Sequence, residues 1–600
     1  MTSQITSLQP VGGAFLIENV APDSIFIPER FTVEDRLIGK TAEDFLRNSV
    51  LPLTERIESG DHALMHDLMR QAGELGLLGA DVPEIYGGLG LPHTTAALIA
   101  EKLNFQQSFA LTHEAHTVIA TLPLLYFGNH DQKSRYLPKL ASGEWVGSFA
   151  LSEANSGSDA LGLQTKAVLN AEGTHYLLNG EKMWITNTAF ASLFTVFARV
   201  NDRITAFLVE RETPGVSFGK EEHKLGMHGT STRRVILENA LVPVANALEM
   251  GKGHYAALCA LNIGRFKLEA GAVGGLKGLL AVCATYAQQR KAFGKPIASY
   301  GMIQHKLAEM AARTFALESM VYRLAGDLER AFADIVPDAP DASQRYHRAA
   351  EEYAIECNVV KVIGSETYSQ TADEAIQIHG GYGYTEEFPV ARAWRDQRLL
   401  RIGEGANEIV RLAIVNTLLR RDKAGRLPLL SADPTIHSES ESRTFARDSA
   451  TSSPLSELYS AALQCKELAL IMLQQAIGIS EDSDLHSIES GVDLAELQEV
   501  TAAIADVVCS AYALDSLYLR CAQIVAHHPA RASAALAAAL VARIDYVNEA
   551  VNAATYFVDS LSLPADLYDG LLDEMRTFGN PLHLRRNLAA LVLEANGYPA

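Results

Sequence analysis

The hydrophobic pattern of this chain changes period twice, and nothing else in the sequence constrains its architecture so tightly. Residues 34–145 carry apolar residues at helical spacing, interrupted by breakers at Gly87-Gly88 and Pro92. Near residue 146 the pattern becomes strand-like. THYLLNGEKMWIT (174–186) holds two short apolar runs around Asn179-Gly180, a dipeptide that tolerates positive φ at both positions and signals a hairpin. ITAFLVE (204–210) and RVILENALVP (234–243) continue that pattern, and helical spacing returns from about 251 to 425. The chain is therefore expected to be mainly α, with an antiparallel β domain over 146–250 inserted between helical units at 34–145 and 251–425. At 600 residues it is too long for one ordinary core.

The flanks add two more pieces. Residues 1–33 read as an irregular arm, because Pro10, Gly12, Gly13, Pro22 and Pro28 prevent a long helix. A polar stretch rich in Ser, Asp and Glu makes 426–454 a linker. Beyond it, 455–600 is expected to be an extra helical domain. Its clearest helix spans about 492–528, where Leu497, Val500, Ile504, Val507, Ala511, Leu514, Leu517, Cys521 and Ile524 recur at steps of three and four and Pro529 closes the pattern. Such a one-faced helix must cover another surface. Packing inside a helical bundle fits better than a membrane surface, since its polar face is not basic.

Composition removes whole classes of function. With 48% hydrophobic and 20% charged residues, the chain is globular. Its net charge of −21 opposes binding to a phosphate backbone, so no nucleic-acid partner is expected. Cys259, Cys283, Cys357, Cys465, Cys509 and Cys521 form no CxxC pair and sit in apolar, helix-like contexts, which reads as reduced core thiols in a cytoplasmic protein. The first residues resemble neither a signal nor a transit peptide. Ala270–Ala287 is the most apolar stretch, but it contains Lys277 and many small residues, and it reads as a buried helix rather than a membrane span.

Several familiar motifs are missing. Gly39-Lys40-Thr41 lacks the P-loop glycine, since position 34 is Glu. His113 and His116 stand three apart with no third ligand, a structural pair and not a metal site. Gly271–Gly275 falls inside a helical pattern, so it is not a dinucleotide loop after a strand. Three segments remain. Leu151–Asp159 is a dense turn of small hydroxyls whose N–H groups could ring a polar heterocycle or phosphate, and it fits an ordinary surface turn equally well. Lys182–Asn187 sets Trp184 beside Thr186, which by itself suits a core position. Arg401–Arg411 places Glu404 between Gly403 and Gly405, where a ligand can approach closely or where the loop is simply solvated.

Taken in order, these segments resemble the acyl-CoA dehydrogenase family. The matching residues are Pro83-Glu-Ile-Tyr-Gly-Gly-Leu-Gly90, the Ser152–Asp159 turn, Trp184-Ile-Thr-Asn187, Gly264-Arg265, Arg290-Lys-Ala-Phe-Gly294, Gln377-Ile-His-Gly-Gly381 and Glu404-Gly405 through Arg411. The helical extension after the core resembles the very-long-chain branch and its long bacterial relatives. The resemblance implies the family fold, a helical domain, a barrel-like β domain and a four-helix bundle, here with a C-terminal helical domain. It also implies FAD and the oxidation of an acyl-CoA to its trans-2-enoyl-CoA in fatty-acid β-oxidation. A carboxylate removes the α-proton while the β-hydrogen leaves as hydride to flavin N5.

By position, the resemblance makes Glu404 the base. It assigns Leu151, Ser152, Ser158, Trp184, Ile185 and Thr186 to the flavin, and Gly405, Ala406 and Asn407 to its adenosine side. Arg290, Phe293, Gln377, Gly380 and Gly381 would reach the FAD of a neighbouring subunit. Ser158, Asn262 and Arg265 would contact CoA, with Gly403, Glu404 and Gly405 around the thioester; a helix salt bridge is the alternative for Arg265. One subgroup carries its base just before that arginine, and Gly264 cannot serve there. The resemblance also implies an electron-transfer flavoprotein as acceptor and, with the extension covering the surface on which shorter relatives form tetramers, a homodimer. Peripheral membrane contact lacks a basic segment.

The sequence departs from the family at four places. Ser152 stands for the usual Thr, Ala154 for Pro, Ala406 for Thr, and Gly403 for an aromatic. The last opens space beside the reacting carbons, which suits bulky or branched medium-to-long acyl chains; small residues around Ala115 suit a deep tunnel. A retired scaffold of the same fold, an acyl-CoA oxidase and a nucleic-acid-associated relative are the competing readings, the first opposed by Glu404 and the last by the net charge.

Overall fold

The computed structural model describes residues 11–433, 453–481, 496–564, 566–576 and 579–600. The N-terminal unit comprises α1 (Val33–Phe45), α2 (Thr54–Glu58), α3 (His62–Glu74), α4 (His93–Leu103), α5 (Gln107–Glu114), α6 (Leu122–Phe127) and α7 (His130–Ala141). Two of these begin at reciprocal caps. Thr32 Oγ1 accepts from the Asp35 N–H while the Asp35 carboxylate accepts from the Thr32 N–H, and Asn129 and Gln132 repeat the arrangement at α7. A π-helical segment, Ala115–Ala120, joins α5 to α6. His113 bonds the carbonyl of Leu77 through Nε2, and His116 bonds that of Leu140. His116 Nδ1 also accepts the Gly147 N–H at 2.9 Å, so this pair staples helices to the first strand.

The middle unit is one curled sheet of β1 (Gly147–Ala150), β2 (Lys166–Leu169), β3 (His175–Thr186), β4 (Leu193–Val200), β5 (Arg203–Glu210), β6 (Val216–Phe218) and β7 (Thr232–Pro243), in the order β1-β4-β2-β3-β7-β6 with β5 on β4. Most pairs are antiparallel, as expected, but β1 runs parallel to β4. The Asn179-Gly180 hairpin is not formed. β3 runs straight through it, paired with β7 from His175↔Pro243 to Thr186↔Thr232. The dipeptide instead makes a bulge, where a Cβ on Gly180 would collide with Thr165. The turn lies upstream. Asn170 Oδ1 accepts from the N–H groups of Thr174 and His175, and Gly173 takes φ 69°. A tight-turn dipeptide thus yields to a long strand partner that rewards extended backbone on both sides.

The bundle follows: α8 (Gly253–Gln289), the short hairpin β8 (Lys291–Ala292) and β9 (Lys295–Pro296), α9 (Gly301–Phe332), α10 (Ala342–Glu352), α11 (Ala354–His379), α12 (Pro389–Gln397) and α13 (Asn407–Lys423). The extension contributes α14 (Pro454–Glu481), α15 (Gln498–His527), α16 (Pro529–Leu561), α17 (Asp566–Met575) and α18 (Pro581–Ala595). α8 and α15 are long and apolar enough to cross a membrane, yet 61% and 89% of their most apolar windows are buried inside the protein. The six cysteines are all buried and unpaired.

The described part of the arm, 11–33, holds only short helical turns, and it is no loose segment. Ala14, Phe15, Leu16, Ile25, Ile27 and Phe31 share one apolar cluster with residues of the bundle and the extension. Leu427 and Leu429, at the start of the expected linker, are buried in the same cluster; most of that linker, 434–452, lies outside the described residues, as does 492–495 at the start of the expected long helix. That helix, α15, is not one-faced either. Its polar side is buried too: Arg520 pairs with Glu29 of the arm and Glu318 of α9, each at 2.8 Å. Gln523 donates to the Pro22 and Ile25 carbonyls, and Asp515 takes Lys466 of α14 at 2.7 Å and Arg323 of α9 at 2.8 Å. Periodicity reports where carbon lies, and it cannot see that a neighbour supplies charges to match.

Removing one partner of such a buried cluster strands the others without water. Arg520→Ala should therefore lower stability by about 3–5 kcal/mol, whereas Lys40→Ala, which breaks an exposed pair on α1, should stay within about 1 kcal/mol. Denaturant unfolding of the two variants checks the contrast.

Candidate active site

Glu404 sits in the short loop before α13, and its backbone is strained. It takes φ 56°, the left-handed region that a side chain disfavours, and Gly405 follows at 106°. Two cations hold the loop there. Arg265 Nε, on α8, donates to the Glu404 carbonyl at 2.8 Å. Lys361 Nζ, on α11, donates to the next carbonyl, that of Gly405. Each cation is itself positioned. Arg265 Nη1 bonds Asn262 Oδ1 at 3.1 Å and Asn358 Oδ1 at 2.8 Å, and Lys361 bonds Asn407 Oδ1 at 2.6 Å.

The carboxyl end of Glu404 is different. Oε2 is buried and has no hydrogen-bond partner. Burial pushes its pKa up to about 7, opposed by the positive charges of Arg265 and Lys361. It lies against Gly264, where a Cβ would stand 3.0 Å from Oε2 and 3.2 Å from Ile119 Cγ2. Gly264 is thus the residue that leaves room for the carboxyl. A Cβ on Gly403 would meet only Leu399, at 3.5 Å or more, so there is room for a side chain at that position. A desolvated, unpaired carboxylate facing an apolar wall is suited to taking a proton from carbon.

Two of the expected ligand contacts around this loop are also engaged within the protein. Arg265 bonds through Nε and Nη1 to the Glu404 carbonyl, Asn262 and Asn358, and among the described residues it forms no salt bridge. Asn407 is 1% exposed, and its amide is used by Lys361, Ser365 and Glu366. Asn262 likewise spends its amide on Ala350 and Arg265. Ala406 is the N-cap of α13.

The 151–159 turn is pinned from beneath by a pair that the sequence does not single out. Lys182, fully buried, donates to the Leu151 carbonyl at 3.0 Å and to Glu153 Oε1 at 2.7 Å. Glu153 also accepts the N–H groups of Gln164 and Thr165. The Met183 N–H bonds the Ser152 carbonyl at 2.9 Å. Trp184 then breaks register in β3, takes φ 61° and leaves its indole 57% exposed beside this turn. An exposed indole held out on strained backbone, next to a turn with fixed N–H groups, fits a planar heterocycle such as a flavin. Ser158 lies exposed on the turn and Thr186 is half-buried, while Ile185 points into the sheet core and offers only backbone.

Arg290, Phe293, Gln377, Gly380 and Gly381 form a separate group. Arg290 follows α8 and lies 5.7 Å over the ring of Tyr382, just beyond Gly380 and Gly381 at the end of α11. Phe293, on the β8–β9 hairpin, is 96% exposed. Gly264 and Arg290 are 26 positions apart on one helix, roughly 39 Å at 1.5 Å per residue. One chain does not bring the two groups together. Among the described residues, no group of three or more His, Cys, Asp or Glu could hold a metal ion.

Comparison with known proteins agrees with this layout. Models of the acyl-CoA dehydrogenase N-terminal, middle and C-terminal domains match residues 32–144, 148–240 and 251–419. A probable acyl-CoA dehydrogenase of Bacillus subtilis is 44% identical, over 87% of this chain and 86% of that protein. The bovine mitochondrial very long-chain specific acyl-CoA dehydrogenase is 36% identical, over 63% of this chain and 58% of its own length. The crystal structure of an acyl-CoA dehydrogenase complexed with FAD from Bacillus anthracis superposes with a TM-score of 0.92 at 41% identity, covering 98% of this chain and 100% of that one. The three-part core, the helical extension and the strained glutamate loop thus belong to a member of the acyl-CoA dehydrogenase family, an oxidoreductase acting on the CH–CH bond of acyl-CoA.

Proposed function

We propose that the protein oxidises medium-to-long-chain acyl-CoA, branched chains included, to trans-2-enoyl-CoA in fatty-acid β-oxidation, with Glu404 as the base. The observation that carries this reading is the unpaired Glu404 carboxyl, buried on strained backbone that Arg265 and Lys361 hold in place. FAD, when bound, supplies the acceptor for the β-hydrogen, and the indole of Trp184 and the Leu151–Ser158 turn are the residues that would hold it. Glu404 takes the α-proton on its carboxyl. With the carbonyls of Glu404 and Gly405 drawn to the two cations, N–H groups of the same loop are left to polarise the thioester oxygen. Gly264 leaves room for the carboxyl, and Ile119 packs against the same glycine.

The separation along α8 supports a site shared between two subunits, in which Arg290, Phe293, Gln377, Gly380 and Gly381 serve the partner's flavin; a homodimer is the simplest such assembly. Its electrons would pass to an electron-transfer flavoprotein, and the unpaired cysteines suit the cytoplasm. An oxidase would share every feature above and differ by releasing peroxide under air.

Three outcomes test this reading. Glu404→Gln should cut turnover by about 10²–10⁴-fold or more while the protein stays yellow. In the wild type, a base must be ionised to act, and a carboxyl raised to about 7 is mostly protonated below that pH. The rate of anaerobic flavin bleaching should therefore rise with pH through 7, changing about tenfold per unit on the acid side. Gly403→Phe should depress activity on branched acyl-CoAs more than on straight ones, and equal losses would count against the open space beside the base.

A further inference from the structure

A groove of about 590 Å³ opens where α1 and α4 of the N-terminal unit, α8 and α9 of the bundle, the arm and the extension meet. It is not the site of Glu404. Lys277, on its α8 wall, lies 13 positions past Gly264, roughly 20 Å along the helix. Seven cationic side chains line the groove against four acidic ones, in a chain whose net charge is −21. Positive charge gathered in one concave place of an acidic protein draws an anion to it.

The charges fall into two layers. The floor holds acids that cations have already claimed. Lys277 bonds Glu101 at 2.9 Å and also Glu318, while Arg520 bonds Glu318 and, beneath the lining, Glu29. The rim is the reverse. Lys40 and Arg47 pair with Asp44 and Glu43 on α1, and three cations are left over: Arg36, Lys102 and Arg531. Arg36 is held by backbone, since its Nε and Nη2 donate to the carbonyls of Phe31 and Glu29. Lys102 reaches Glu101 at 3.3 Å and Arg531 approaches Glu29 at 3.8 Å, but each of those acids holds a closer cation. The side chains of Lys102 and Arg531 are 31% and 51% exposed, those of Glu101 and Glu318 only 3% and 4%. The acids are sealed below, and the cations face the opening.

The space is that of an ordinary small-molecule site, about 300–1,000 Å³, and far more than one inorganic ion fills. Arginine and lysine meet phosphate through charge-assisted hydrogen bonds. Pro28, Phe31 and Leu98 supply apolar wall beside them.

We propose that this groove binds an organic diphosphate, a nucleotide-sized ester whose charges meet Arg36, Lys102 and Arg531 and whose organic part lies against Phe31 and Leu98. The three cations come from α1, α4 and α16, so the bound ester clamps the extension to the N-terminal unit. A free nucleotide and the diphosphate end of CoA share this chemistry.

The test uses the full-length holoenzyme and the double variant Lys102→Glu/Arg531→Glu, titrated by calorimetry at low salt with ADP, CoA and inorganic phosphate. If free nucleotides are the source, ADP binds once per chain, at least about tenfold more weakly in the variant, and raises the Tm of the wild type alone. If CoA is the source, it binds at two sites per chain in the wild type and at one in the variant. In both cases kcat/KM for decanoyl-CoA should be the same in the two proteins. Should the double variant lose its flavin, the single variants Lys102→Ala and Arg531→Ala carry the same comparison. Absence of a variant-sensitive site for ADP and for CoA, or inorganic phosphate bound as tightly as either, would overturn the proposal and leave the dehydrogenation untouched.

Discussion

Two cations on two successive carbonyls hold the centre of this molecule together. A glutamate with φ 56° sits in a conformation that costs on the order of 1 kcal/mol or more, and Arg265 and Lys361 offset it by binding the oxygens that this conformation turns toward them. The two residues come from α8 and α11, which pack closely along their length. Glu404 is therefore placed by the bundle rather than by its own loop. Its carboxyl is left unpaired because the two nearby cations are already spent on backbone.

α8 gives the site its shape through what it lacks. Gly264 admits the Glu404 carboxyl, and Gly271 admits Glu114 and Asn104. A helix with few side chains on one face lets its neighbours approach with their polar ends, and that is how polar groups from three places in the chain come to share an apolar wall. The same helix is long enough to carry Arg290 well away from the Glu404 loop that Arg265 supports.

Much of this is legible in the sequence. The change of period at 146 and 251 marks the β unit, and the glycines on either side of Glu404 mark a carboxylate that a ligand can approach. Other features are hidden for physical reasons. Asn179-Gly180 carries the local signature of a turn, and only the pairing of β3 with β7, some sixty residues later, makes it a bulge. Lys361 and Asn358 look like ordinary helix residues, because what singles them out is a carbonyl and a guanidinium more than forty and ninety positions away. Lys182 and Glu153 lie inside motifs that the sequence does mark, but their pairing beneath the turn is a fact of the sheet. The period of α15 shows its apolar face and not the charges that cover the other one.

The Arg520 cluster has a consequence for how such a chain can change length. Glu29 and Glu318 belong to the arm and the core, yet they share Arg520 of the extension, which Glu318 holds alongside Lys277 of α8. Deleting α14–α18 would bare the greasy flank of α9, orphan Glu29 and leave Glu318 with Lys277 alone. A short ancestor could not simply have gained this tail, nor a long one shed it, without rewriting both contact surfaces in concert. The extension behaves less like an appended module than like a wall poured together with the floor.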